Sequence, residues 1–322
     1  MSMRDLEVLA IGTAAYDFSL FIDEFPREDS KAEVYDMLEG GGGPAANAAY
    51  LLSLWGARCA YAGLVGDDYY GERIRAEFES AGTNLELTET RTGHPTPVSF
   101  VLVNTRNGSR TIVNRKAPQG ALELRPEQLA RFAPRVVLTD GHEAAACRAA
   151  RAAFPHAAWI LDAGSLRPGT QELAGQVDYL VASERFALQA TGMTDLARAG
   201  QWQECLQRLR SVARPNAAIV ITLGERGLIY DDAGSCRHLP AYSTRAVDTT
   251  GAGDVFHGAF AYAILRGWPW DSTLKVSALA AAMSVRERGA RRSIPSLDAV
   301  RGEFKRIEGV DLSAETNRGS PP

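Results

Sequence analysis

Asp248-Thr249-Thr250-Gly251-Ala252-Gly253-Asp254, running on into Val255-Phe256-His257-Gly258-Ala259-Phe260, is the stretch on which the reading of this chain turns. From Val255 to Leu265 the apolar residues recur at helical spacing. Phe256, Phe260 and Ile264 fall on one line, with Val255, Ala259 and Ala263 beside it, and Gly267 and Pro269 supply a stop. Gly251-Ala252-Gly253 is therefore a turn poor in side chains that opens a helix. The first N–H groups of a helix have no internal partner and the dipole is positive there, so small residues let a phosphate approach them closely. A carboxylate at the same place, Asp254, repels a phosphate and needs a reason. Two are open: it caps the helix, or it accepts a proton from a hydroxyl that attacks phosphorus.

A second signal lies near the N-terminus, Gly40-Gly41-Gly42-Gly43-Pro44-Ala45-Ala46-Asn47-Ala48-Ala49. Glycines followed by Pro44 and an alanine-rich run describe a close-approach turn and a helix start. Asn47, on the first turn, offers a donor and an acceptor to a polyhydroxyl ligand or to neighbouring backbone. The glycines also match a loose dinucleotide fingerprint, but the acidic residue expected about 20 positions on is not convincing, since Asp67 and Asp68 come late. Gly-Lys occurs nowhere, so there is no Walker A loop. With lysine confined to positions 31, 116, 275 and 305, phosphate binding must rest on amides and arginine.

Outward from these motifs, short apolar runs alternate with helical patterns. Val8–Ile11, Val136–Leu138, Trp159–Leu161 and Ile219–Ile221 read as buried strands. Glu72–Ala81, Ala144–Ala153 and Leu196–Val212 read as helices. This alternation predicts an α/β fold, a parallel sheet with helices on both faces, whose ligands sit beyond the carboxyl ends of the strands. Val98–Val103 and Arg110–Asn114 break the pattern. Asn107-Gly108 between them suits a tight hairpin turn whose two central residues need positive φ. With extended stretches at 17–22 and 31–38 the hairpin forms either a small separate sheet or an antiparallel edge on the main one. The polar end, 311–322, reads as a loose tail.

Composition limits the function classes. The chain has 322 residues and 35 Lys+Arg against 39 Asp+Glu, a net charge of -4, so general electrostatic binding of a nucleic acid is not expected. No uncharged apolar run approaches the ~20 residues of a membrane helix. Arg4, Asp5 and Glu7 interrupt any secretory signal. The four cysteines are scattered, without metal-ligand spacing, and read as buried hydrophobes of a cytoplasmic protein.

Together the two motifs resemble those of the PfkB (ribokinase-like) family of carbohydrate kinases. Gly42–Ala49 is similar to its N-terminal signature and Asp248–Phe260 to its C-terminal one. Lesser features follow in family order: Gly12 then Asp17, Gly63–Asp68 with Gly71, Thr222-Leu223-Gly224 with Gly227, and Gly289-Ala290 with Ser293-Ile294-Pro295. The resemblance spans about residues 6–305. It implies a ribokinase-like three-layer sandwich over 1–310, with a central mostly parallel sheet and a small β-sheet lid from about 14–39 and 97–116. It makes Asp254 the general base and Gly251, Ala252 and Gly253 the anion hole. It assigns Asp17, Gly42, Gly43 and Asn47 to the sugar, and Ser183, Thr222, Gly224 and Gly227 to ATP. It likens Asp248, Thr250 and Ser293 to the segments that bind a monovalent cation, usually K+. The implied reaction moves the γ-phosphoryl group of ATP, with Mg2+, to a hydroxyl of a small sugar or sugar acid, a primary one being expected. Lids in the family often pair between subunits, which implies a homodimer.

One departure stands out: where the family carries Asn-x-x-Glu, this chain reads Ser183-Glu184-Arg185-Phe186, so Mg2+ organisation falls more to water and ATP. Within the family the sequence most resembles the sulfofructose kinase subgroup, through Gly-Gly-Gly-Pro-Ala-Ala, His257 and the Ser-Glu pair. Lys31 and Asn114 match sulfonate-holding positions of that subgroup. His142 stands where it has an arginine, and a neutral imidazole holds an anion less well, which argues against sulfofructose as substrate. His142 is kept as a candidate sugar contact. The rival readings are a nucleoside kinase with a base slot at Tyr16, Phe18 and Phe100, residues that otherwise read as packing in the core of the lid, a catalytically silent sugar-binding regulator, and an NAD-linked oxidoreductase.

Overall fold

The computed structural model describes residues 5–116 and 120–312. Across its central sheet the strands are Ser235–Leu239 (β14), Leu228–Asp232 (β13), Ala218–Thr222 (β12), Tyr179–Ser183 (β11), Ala158–Ala163 (β10), Val136–Thr139 (β9), Val8–Ile11 (β1) and Cys59–Ala62 (β4). From β12 to β4 all neighbours are parallel; β13 and β14 add an antiparallel edge. A four-stranded sheet stands apart from it: Met37–Gly42 (β3), Ala15–Ile22 (β2), Val98–Asn104 (β7) and Arg110–Arg115 (β8), in that order. Leu64–Gly66 (β5) and Glu89–Arg91 (β6) form a separate pair.

The apolar pattern of the sequence explains the layering. All four residues of β1 are fully buried, with Val8 and Ala10 in one core and Leu9 and Ile11 in the other. A strand buried on both sides must have helices on both faces. The first core takes its helical residues from α1 (Pro44–Leu54), α2 (Tyr69–Ser80), α8 (Ala252–Arg266), α9 (Trp270–Ser284) and α10 (Leu297–Glu308). The second takes them from α3 (Pro126–Leu129), α4 (Ala144–Ala153), α5 (Pro168–Ala174), α6 (Glu184–Thr191) and α7 (Ala199–Arg210). Each large side chain so buried contributes ~1.5–3 kcal/mol, and Trp159, Tyr61, Phe78, Phe186, Phe260 and Phe304 are among the largest. Cys59, Cys147 and Cys205 lie buried and unpaired, Cys236 half-buried. Among the described residues no helix is long and apolar enough to cross a membrane.

Two local expectations are corrected. Residues 31–36 are loop, and the strand expected there begins at Met37 and runs on through Gly40-Gly41-Gly42, so these glycines are edge strand and only Gly43 turns, at φ 99°. The hairpin between β7 and β8 is a five-residue loop, 105–109. Gly108 alone is left-handed (φ 70°), because the Gly108 N–H bonds the Asn104 carbonyl at 2.8 Å and Asn107 need not leave negative φ. The small sheet is separate, not an edge of the main one. The expected tail lies, from residue 313, outside the described residues.

One helix contact sets the position of the site. α1 and α8 pack closely at Gly258, where a Cβ would stand 3.3 Å from the Cα and carbonyl of Ala48 and 3.2 Å from Leu51. Gly258→Val adds two further carbons to this contact and must push the helices apart. A loss of ~1–3 kcal/mol is expected for such overpacking, measured by denaturant unfolding; unchanged stability would show that the contact is slack.

Candidate active site

α8 begins at Ala252 after Gly251, whose φ of 77° favours glycine and whose Cβ would crowd Ala290 at 2.9 Å. No side chain caps the helix, and Gly253 is exposed with open space before it. Bare first-turn amides, positive dipole and absent side chains make a place where an anion is held. Asp254 does not cap. Its Oδ2 instead accepts a hydrogen bond from Nδ2 of Asn47 at 2.7 Å, across from the first turn of α1. Burial raises the Asp254 pKa and the charge of Asp162 adds to it, while Asn47, His257 and Arg110 oppose; the result is about 7. A carboxyl poised near neutrality at an anion-binding helix mouth has the properties of a general base.

A second carboxylate, this one buried, ties the glycine-rich segment down. Asp140, following β9, accepts N–H bonds from Thr13 (2.9 Å), Ala45 (3.3 Å) and His142 (3.0 Å). Gly12 leaves the room it occupies, since a Cβ there would lie 2.2 Å from Oδ1. Burial works against its charge, but His142 and these amides prevail and hold its pKa below the ordinary value. His142, the candidate sugar contact, is thus engaged: Nδ1 lies 3.1 Å from Asp140 and Nε2 meets the Arg167 guanidinium. His257 is buried within α8 between the Gly253 carbonyl (2.6 Å), Asp162 (3.3 Å) and the Val181 carbonyl (3.2 Å).

The small sheet has two chemically distinct faces. Asp17, Ser99 and Asn114 are paired across β2, β7 and β8 and share one face with Arg110. That face looks to the α8 mouth, because Arg110 Nη1 donates to Thr249 Oγ1 at 2.9 Å and the Gly108 carbonyl accepts from Thr249. Asp17 lines a cavity of about 280 Å³ with Ser19, Tyr50, Glu77 and Arg291. Burial lifts its pKa to about 6 against a bond from Ser99 and the charge of Arg291. Gly42 is obligatory beside it, since a Cβ would reach within 2.0 Å of the carboxylate. Tyr16, Phe18 and Phe100 occupy the opposite face, packed on one another and on Tyr70. Lys31 is exposed on the loop before β3, and Asn114 is exposed on β8; neither reaches Asp254.

The remaining candidates gather at the ends of β11 and β12. Ser183 is registered against Thr222, and Thr222 Oγ1 faces the Ala182 carbonyl at 3.4 Å. Gly224 and Gly227 are both left-handed, and a Cβ on Gly227 would meet the Leu239 carbonyl at 2.1 Å. Ser183 caps α6 through the Phe186 N–H, Glu184 pairs with Arg226 at 2.6 Å, and Phe186 is core. No group of three or more acidic, His or Cys side chains able to hold a metal occurs among the described residues. Asp248 is buried, its carboxylate accepting from the Thr250 (2.8 Å) and Gly289 (2.9 Å) amides. Ser293 Oγ faces the Ala290 carbonyl, and Thr250 Oγ1 is buried without a partner. The sequence motifs missed Arg110, Asp140, Asp162 and Arg291. Arg291 was visible only as a member of the Arg288–Ser293 loop, and nothing in its spacing points to Asn47.

Comparison with known proteins follows this geometry. The sequence matches the pfkB family carbohydrate kinase profile over residues 5–297. It is 25% identical to a deoxyribokinase of Salmonella typhi over 91% of this chain and 97% of that protein. It is 26% identical to a nucleoside kinase of Methanothermobacter thermautotrophicus over 91% and 93%. Its fold matches that of Arabidopsis thaliana ribokinase, solved with ribose and ATP, at a TM-score of 0.78 and 23% identity, over 93% of this chain and 99% of that one. The chain belongs to the pfkB family of carbohydrate kinases and is a phosphotransferase with an alcohol group as acceptor.

Proposed function

We propose that this protein transfers the γ-phosphoryl group of ATP to a hydroxyl of a small sugar. The carrying observation is Asp254, held by Asn47 and facing no cap of its own helix, beside the side-chain-poor turn Gly251–Gly253, whose Ala252 N–H turns to the Thr249 carbonyl at 3.3 Å and whose Gly253 stands exposed. Asp254 takes the hydroxyl proton while the amides of the first turn of α8 stabilise charge on the transferred group. Arg110, reaching this loop from the small sheet, adds positive charge at the same mouth. ATP would lie over Ser183, Thr222, Gly224 and Gly227. Among the described residues no carboxylate cage for Mg2+ occurs, and Ser183 and Phe186 are spent on a helix cap and the core. The oxygens of Asp248, Thr250 and Ser293 fit a monovalent cation, which would neutralise a buried carboxylate and stiffen the 289–293 loop beside α8.

A sugar is favoured over a nucleoside because Tyr16, Phe18 and Phe100 are turned away from Asp17, whose neighbours across the strands are Ser99 and Asn114, while the apolar Phe21, Val101 and Val103 of that face pack together with Leu38. The small sheet would act as a lid whose outward side pairs with a second copy, for Phe100, Val113 and Met37 on that side are 44%, 59% and 51% exposed.

Four outcomes are expected. Asp254→Asn keeps ligand binding but loses ~10²–10⁴ in kcat. In the wild type the carboxyl is protonated below its raised pKa, so kcat/KM should climb with pH through about 7 and level off above it. A pH-independent rate, or a fully active Asn variant, would dismiss the base. In a thermal-shift panel, pentoses and hexoses should raise Tm and nucleosides should not; the reverse would favour the nucleoside reading. Light scattering should find a dimer that Phe100→Glu converts to monomer, and a monomeric wild type would remove lid pairing.

A further inference from the structure

Among the described residues Arg291 is the one arginine or lysine that is buried, its side chain only 5% exposed. Nη1 pairs with Glu77 Oε2 at 2.7 Å, and the guanidinium lies over the rings of Phe78 (4.6 Å) and Tyr50 (5.0 Å). Gly41 exists for this side chain: a Cβ there would fall 2.3 Å from Nη1. Glu77 is itself fixed by the Gly41 N–H, which points at both its carboxylate oxygens (3.1 and 3.0 Å). Held on these sides, Arg291 directs Nε at Oδ1 of Asn47, 3.1 Å away.

A carboxamide has a donor end and an acceptor end, and its partners decide which way it lies. Arginine only donates and keeps its charge, so only Oδ1 of Asn47 can face it. The other end, Nδ2, must then face Asp254. Turned over, Asn47 would oppose its carbonyl oxygen to a carboxylate oxygen now 2.7 Å from the amide nitrogen. We propose that Arg291 is a positioning residue for phosphoryl transfer: anchored by Glu77, it locks the Asn47 carboxamide so that its N–H stabilises the ionised form of Asp254. The inference rests on the reading of Asp254 as the base. A lysine would not serve, because a rotating ammonium lacks the fixed fork that bonds Glu77 and Asn47 at once.

The groups acting on Asp254 are Asn47 from α1, Asp162 from β10, His257 from α8 and Arg110 from β8. Of these only Asn47 is bonded to Arg291, so a shift on replacing Arg291 is carried through Asn47. Arg291→Met should move the acid limb of kcat/KM upward by about one pH unit and lower kcat about 10–100-fold, with KM for ATP little changed. The loss should shrink at high pH. The same substitution placed on Asn47→Ala should move the limb no further, since the two act in series. Should Arg291→Met fail to fold, Arg291→Lys, which keeps charge and stem, carries the same test with the same upward shift. An unmoved acid limb in a folded variant, or a shift that persists in the Asn47→Ala background, overturns the proposal. Asp254→Asn measured alongside separates the two levels: if it stays active the base reading fails, whereas an inactive Asp254→Asn with an unmoved Arg291 limb removes the positioning role alone.

Discussion

The hydrogen bond between Asn47 and Asp254 is the contact from which the rest of the site takes its geometry. It joins residues 207 positions apart, each in the first turn of a helix, and it exists because α1 and α8 approach closely where Gly258 meets Ala48. Two helix N-termini are thereby aimed into one space. The fold brings the first turn of α1, whose Ala45 amide is taken by Asp140, and the uncapped first turn of α8 together at one carboxylate. The central sheet serves this arrangement by burying both faces of its strands, which leaves the carboxyl ends as the place where loops converge.

Electrostatics then separates carboxylates that the sequence presents as equals. Asp140 is buried and Asp254 half-buried, yet they move in opposite directions. Asp140 receives three backbone amides and faces His142, so its charge is held and it serves as an anchor for Thr13 and Ala45. Asp254 has a single donor and the nearby charge of Asp162, so its proton is retained to about neutrality. Environment, not residue type, makes one of them structural and the other suited to proton transfer.

The small sheet divides its labour by the alternation of its strands. Side chains of odd number on β2, Asp17 and Ser19, meet the cavity, and those of even number on β2 and β7, Phe18 and Phe100, stack on the outer side. The sequence offered the aromatics as a slot for a base and also as packing; strand register decides for packing, because a residue next to Asp17 on a strand must point away from it. Residues expected to gather at the sugar divide in a similar way. Gly42 and Asp17 touch, whereas His142 is drawn off to Asp140 and Arg167 and Lys31 stays on an exposed loop.

The sequence by itself determined the layers and the helix mouth. Apolar runs of three or four residues read as strands buried on both sides, and Gly251-Ala252-Gly253 before a helical apolar stripe reads as a turn that opens a helix, because both follow from local pattern. The family was legible for the same reason, since its signatures are short and contiguous. Local pattern carries no information on what meets across 200 residues. That Asp254 bonds Asn47 instead of capping its own helix, that Gly40–Gly42 belong to a strand, and that Arg291 reaches beneath Gly41 to both Glu77 and Asn47 were decided by tertiary packing. Hydrogen-bond partners are chosen by distance and by which groups burial has left unsatisfied, and both arise only when the layers close.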